Sequence, residues 1–128
     1  MDREADCPPS TLSVMPAPDL ILTTEMQEST TVIHVVGELD LSTVDAFDAE
    51  LERSVAAGSV VVVLSECTFI DSSALQSLVR ARRVVSSAGG EIVLVAPSQP
   101  ARRVLEVAAL DRLMPVFETL DEAFISSA

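Results

Sequence analysis

VVVVLSECTFIDSSALQSLV, residues Val60 to Val79, passes from an unbroken apolar run through a polar corner into a helical pattern. Val60 to Leu64 is β-branched, uncharged and too short for a helix, which predicts a strand covered on both faces. It is therefore expected to be central and parallel. Beyond the corner, apolar residues recur at Ala74, Leu78, Ala81, Val85 and Ala88, the spacing of one helix face. Asp71, Ser72 and Ser73 stand at the start of that helix, where their side chains suit the free backbone N–H groups of a first turn. Capping explains the residue type but not the presence of three in a row. A helix N-terminus directly after a central strand is also where α/β proteins bind anions, so a phosphate carried by a serine there would be stabilised.

Upstream, Leu20–Met26 and Thr31–Val36 are β-branched and apolar, joined by the polar Gln27-Glu28-Ser29-Thr30, which predicts an antiparallel hairpin with its first strand at the sheet edge. His34, the only histidine, lies within the second strand, where a structural role is expected. Gly37-Glu38-Leu39-Asp40 ends that strand. Ser42 and Asp45 have the spacing of a capping box, Val44, Phe47, Leu51 and Val55 give a buried helical stripe, and Ala57-Gly58 closes the helix. Downstream, Gly89-Gly90 leads into a strand over Glu91–Val95, and Ser98 opens a helix to about Ala109, before Pro115. Val116-Phe117 forms a last short strand, and Thr119 with Glu122 suggests a second capping box before a helix with Leu120, Ala123 and Phe124 on its apolar face. Strands alternating with helices at this spacing predict one α/β domain: a mixed, mostly parallel sheet of about five strands packed with about four helices.

A chain of 128 residues that is 48% hydrophobic has material for one core. Its net charge of −12, with eight arginines and no lysine, argues against direct nucleic-acid binding and favours partners with a basic face. Residues 1–19 carry Pro8, Pro9, Pro16 and Pro18 without an apolar period and are expected to form a disordered extension before a domain at residues 20–128. Neither a signal peptide nor a membrane span is expected, so the predicted location is cytoplasmic. Cys7 and Cys67 form no metal-binding pattern. Cys67 is expected to be a packing residue.

Parallel strands bring their C-terminal ends together, so Asp40 and the Asp71-Ser72 corner are expected on one edge of the sheet. On residue type alone they are two solvent-facing turn aspartates and a capping serine. A serine hydrolase is excluded because no Gly-x-Ser-x-Gly elbow surrounds Ser72 and the one histidine lies within a strand. The absence of lysine tells against a receiver domain phosphorylated on aspartate. No glycine-rich phosphate loop suggests a nucleotide-binding module.

Ile70-Asp71-Ser72-Ser73-Ala74-Leu75 resembles the Asp-Ser-[Ser/Thr]-Gly-Leu signature of STAS domains, in particular the bacterial anti-sigma factor antagonists. Val36-Gly37-Glu38-Leu39-Asp40 is similar to that family's Gly-Glu-Leu-Asp turn, and Ala88-Gly89-Gly90-Glu91-Ile92-Val93-Leu94 to the segment leading into its next strand. The resemblance runs from about Leu20 to the C-terminus. It implies a non-enzymatic, cytoplasmic phosphoprotein, an anti-anti-sigma factor acting by partner switching in bacterial stress response and transcription regulation. The implied phosphorylation site is Ser72, with Ser73 as alternative. Asp40, Asp71, Ser72, Ser73 and Leu75 are the implied partner-binding residues. The implied partners are an anti-sigma factor serine kinase and a phosphatase; the expected state is a monomer or weak dimer, with no membrane association, cofactor or metal. Ala74-Leu75-Gln76 departs from the usual Gly-Leu-Gly, which leaves open a STAS binding module that is not phosphorylated and serves another signalling or stress-response assembly.

Overall fold

The computed structural model of the protein describes residues 13–17, 20–27, 30–95 and 97–127. Six strands form one sheet in sequential order: β1 (Ser13–Ala17), β2 (Leu20–Gln27), β3 (Thr30–Leu39), β4 (Val60–Ile70), β5 (Ile92–Val95) and β6 (Val116–Phe117). β1, β2 and β3 pair antiparallel, and β3 through β6 pair parallel. The parallel strands are linked by α1 (Val44–Ala57), α2 (Ser72–Ser87) and α3 (Gln99–Val107) with a 3-10 turn at Leu110–Arg112; α4 (Leu120–Ser127) ends the chain.

The valine run is covered on both faces, as its composition predicts. Val60, Val62 and Leu64 join Phe47, Leu51, Leu78, Val85 and Leu105 in a core under α1, α2 and α3, whereas Val61 meets Val32, Val93, Val95 and Ala123 on the opposite side. The strand is central because alternate residues must be buried in two different places.

Two expectations about the first strands are corrected. Ser13–Ala17, expected within a disordered extension, pairs along β2 from Ser13 opposite Thr24 to Ala17 opposite Leu20. An outer β2 would leave a row of backbone donors and acceptors unpaired, and β1 satisfies one side of it. Pro16 is tolerated because an edge strand need not donate from every residue. β1, not β2, therefore occupies the sheet edge. The remainder of residues 1–19 lies outside the described residues.

β4 also runs past the expected Leu64 to Ile70. Its pairing with β3 shifts register twice, between His34 and Val36 and between Gly37 and Glu38, each time with one extra residue on β4. Such bulges turn a strand and re-aim its end. Gly37, at the second shift, has φ 117, a conformation that side chains resist and glycine allows.

Of the two expected capping boxes, one forms in half, its return bond reaching the residue before the cap. The Thr119 hydroxyl accepts from the Glu122 N–H at 3.2 Å while the Glu122 carboxylate accepts from the Glu118 N–H at 3.0 Å. Leu120 and Ala123 pack on the second core; the side chain of Phe124 lies outside the described residues. The Ser42–Asp45 box does not form. α1 begins one residue later, at Val44 after Thr43, because the Asp40 carboxylate takes the Ser42 hydroxyl for its own turn.

Candidate functional site

Leu39 and Ile70 are register partners at the C-terminal ends of β3 and β4, and the Asp71 N–H donates to the Leu39 carbonyl at 3.0 Å. Asp40 and Asp71 thus follow paired residues on neighbouring strands, about 5 Å apart by sheet spacing, and each opens a turn into a helix. The predicted convergence of Asp40 and the Asp71-Ser72 corner is present.

Each aspartate organises its own turn. Asp40 Oδ1 accepts from the Ser42 N–H at 2.9 Å and from the Ser42 hydroxyl at 2.6 Å. The Ser42 hydroxyl bond is the largest influence holding the Asp40 carboxyl below the usual carboxylate range, opposed by desolvation and assisted by the Ser42 and Thr43 N–H groups and the Thr43 hydroxyl. Asp40 is accordingly ionised at neutral pH. Thr43, almost wholly buried, braces the turn: its hydroxyl donates to the Glu38 carbonyl at 2.8 Å and accepts from the Asp40 N–H at 3.0 Å.

Asp71 is the N-cap of α2. Its Oδ1 accepts from the Ser73 N–H at 3.0 Å, the Ala74 N–H at 3.4 Å and the Ser73 hydroxyl at 2.5 Å. The two serines are thereby distinguished. Ser73 is half-buried with its hydroxyl committed to Asp71. Ser72 is exposed on the first turn, and its hydroxyl has no hydrogen-bond partner among the described residues. Asp71→Ala is expected to lower stability by about 1 kcal/mol, the usual worth of a cap of this kind, without changing the fold. A urea melt showing no change in midpoint would mean that Asp71 has no capping role.

Ser72 sits at one end of a shallow groove along α2, with Leu75, Gln76 and Val79 beside it and Arg80 and Arg83 at the far end. Leu75 is only 9% exposed, so it offers an edge at the groove floor. Arg80 is held toward α1 by Asp48 at 3.2 Å.

Four neighbours were not found by sequence reasoning. Ser42 reads in the sequence as a capping residue of α1 rather than as part of the Asp40 turn, and Thr43 carries no sequence signal. Leu41 and Phe69 are large apolar side chains exposed by 77% and 47% at this same edge. Phe69 carries no clean signal, because it falls beyond Leu64 where two bulges break the alternation of β4. Cys67 lies in the main core and donates its thiol to the Phe69 carbonyl at 3.3 Å; burial pushes its pKa up, so it behaves as a packing residue. His34 is half-exposed beside Glu25, with 3.6 Å between Nε2 and the carboxylate, away from this edge. Among the described residues no group of three or more His, Cys, Asp or Glu could hold a metal ion, and no helix is long and apolar enough to cross a membrane.

Residues 22–123 match the family model described as the STAS domain. A Thermotoga neapolitana protein, named among the anti-sigma factor antagonists, is 39% identical over 64 residues, covering 50% of this chain and 57% of that relative. The chain thus matches little more than half of that relative's length. The anti-sigma F factor antagonist of Paenibacillus polymyxa is 24% identical over 90 residues, covering 68% of this chain and 77% of its own. Among solved structures, an anti-sigma factor antagonist from Mycobacterium paratuberculosis superposes with a TM-score of 0.79 at 28% identity, over 88% of this chain and 98% of that one. The anti-sigma factor antagonist SpoIIAA in its unphosphorylated form gives 0.70 at 25% identity, over 80% and 92%.

Proposed function

The chain belongs to the STAS domain family, and from that membership we propose that it is a cytoplasmic anti-sigma factor antagonist. Unphosphorylated, it binds an anti-sigma factor serine kinase through the edge formed by Asp40, Asp71, Ser72, Ser73 and Leu75. Binding frees a sigma factor. Phosphorylation of Ser72 by the kinase ends the association, and a phosphatase restores it. The protein acts as a binding module rather than an enzyme.

The observation that carries this reading is the difference between the two serines. A kinase needs a hydroxyl that reaches solvent, and Ser72 offers one where Ser73 is tied to Asp71. The first turn of α2 would stabilise the resulting phosphate through its N-terminal dipole, so the fold survives the modification. Phosphate adds roughly −1.5 to −2 charges beside Asp40 and Asp71, changing the docking edge without rearranging the core. That one of the similar structures is described as an unphosphorylated form supports phosphorylation as a variable in such proteins.

A second reading rests on Gln76, which replaces the signature's second glycine. It is exposed, lines the groove with Ser72 and stands one turn after it. Helical side chains lean toward the N-terminus, so Gln76 leans toward the approach to Ser72. On this reading the module binds its partner without being phosphorylated.

Incubation with an anti-sigma factor serine kinase of the same organism and ATP, followed by intact-mass measurement and peptide mapping, separates the two readings. One phosphate on Ser72, with loss of the complex in a pull-down, is the expected result. Phosphate on Ser73 alone would reject the assignment of Ser72. An unmodified protein still bound to the kinase in ATP would leave the constitutive module as the correct reading.

A further inference from the structure

A second polar site lies at the opposite end of α1, about 30 Å along β3 from Asp40. Four of the six buried polar side chains of the described residues, Thr24, Thr31, Glu50 and Ser54, line one pocket between β2, the start of β3 and the last turns of α1. Polar side chains placed inside a core are costly unless they have partners, so their convergence needs an explanation.

Two of the four are accounted for within the protein. The Ser54 hydroxyl donates to the Glu50 carbonyl at 2.8 Å, and the Thr31 hydroxyl lies 3.0 Å from the Met26 sulfur. Glu50, only 3% exposed, is paired through Oε1 with Arg53, whose own side chain is 61% exposed. Among the described residues, Glu50 Oε2 and the Thr24 hydroxyl have no hydrogen-bond partner, although Thr24 is 6% exposed. A buried carboxylate oxygen and a buried hydroxyl thus face one space with acceptor capacity unused.

The remaining lining defines what would fit. Glu25 lines the rim, but its carboxylate lies beside His34 on the opposite face of the sheet, so Glu50 is the pocket's own acid and the missing partner is a donor to its Oε2. Among the described residues too few ligating side chains converge for a metal ion. Met26 and Ala57 provide an apolar wall suited to a short alkyl chain.

We propose that this pocket binds the ammonium group of a small primary amine, which donates to Glu50 Oε2 and the Thr24 hydroxyl with its alkyl chain against Met26. The site is independent of the Ser72 edge. The test is a titration of the full chain with n-propylammonium chloride, followed by amide correlation spectra, against sodium chloride at matched ionic strength. Saturable shifts confined to residues 24–26, 31 and 50–57 are expected. Glu50→Gln should weaken binding at least tenfold, and Arg53→Gln should strengthen it several-fold by removing the competing cation. Should Glu50→Gln fail to fold, Thr24→Val, which keeps the shape and removes the hydroxyl, should weaken binding several-fold. Shifts equal to those in sodium chloride, or wild-type affinity in folded Glu50→Gln or Thr24→Val, overturn the proposal. A parallel titration with N-acetyl-lysine methylamide distinguishes the source: saturation at the same residues points to a lysine side chain of another protein, and binding of propylammonium alone to a free amine.

Discussion

Val62→Asp is expected to abolish folding. Val62 is fully buried beneath the helices, and its strand neighbours are Ile33 on one side and Leu94 on the other, so an introduced carboxylate has no route to water. Burying an unpaired charge costs several kcal/mol, and the lost valine packing adds to it. A domain of this size is stabilised by only about 5–15 kcal/mol in total, so this one change consumes much or all of the margin. Circular dichroism and soluble yield measure the effect. The control is Val36→Asp on β3, whose valine is 36% exposed and should accept the change with a native spectrum. A native spectrum for Val62→Asp would mean that β4 is not the centre of the sheet.

The centre of this fold was legible because it depends on short-range pattern. Val60 to Leu64 could be identified as a doubly covered strand from composition alone, and the helical spacing after Asp71 placed the corner correctly. What escaped was set by partners distant in sequence. β1 is held by backbone pairing along β2, which leaves little mark on a proline-containing segment. The second half of β4 was hidden because two bulges break its alternation, leaving Ser65, Glu66, Thr68 and Phe69 exposed in a segment with no clean period.

The site divides along the same line. Topology alone predicted that Asp40 and Asp71 would meet, because both follow parallel strands. The role of Ser42 is not settled by spacing, since two competing local motifs share it: a capping box to Asp45 and a turn around Asp40. The turn prevails because Thr43 can reach both the Glu38 carbonyl and the Asp40 N–H from a buried position. Glu50 gave no signal at all, since a glutamate on an amphipathic helix is ordinarily solvent-facing.

Ser72→Asp is expected to weaken binding to the kinase partner by at least about tenfold, while Ser72→Ala should bind as tightly as the unmodified protein and stay bound in ATP. A carboxylate there stands beside Asp40, which its turn keeps ionised, and Asp71, so the substitution adds charge to an edge that already carries it. Desolvating an unpaired carboxylate where the partner fits a neutral hydroxyl costs more than the roughly 1.4 kcal/mol that corresponds to tenfold in affinity. Phosphate carries roughly −1.5 to −2 charges against about −1 for aspartate, so the phosphorylated protein should bind more weakly still. Ser73→Ala provides the contrast. It removes the hydroxyl bond to Asp71 but leaves the Ser73 N–H donating to the same carboxylate, so stability falls by about 1 kcal/mol or less and switching persists. Gln76→Gly then separates access from charge: if the glutamine restricts the approach to Ser72, the glycine variant is phosphorylated faster with unchanged site preference. Calorimetric affinities for the four variants, with phosphorylation rates for those retaining Ser72, decide among these outcomes. Equal affinities for Ser72→Ala and Ser72→Asp would place the kinase contact away from this edge and end the electrostatic account of release.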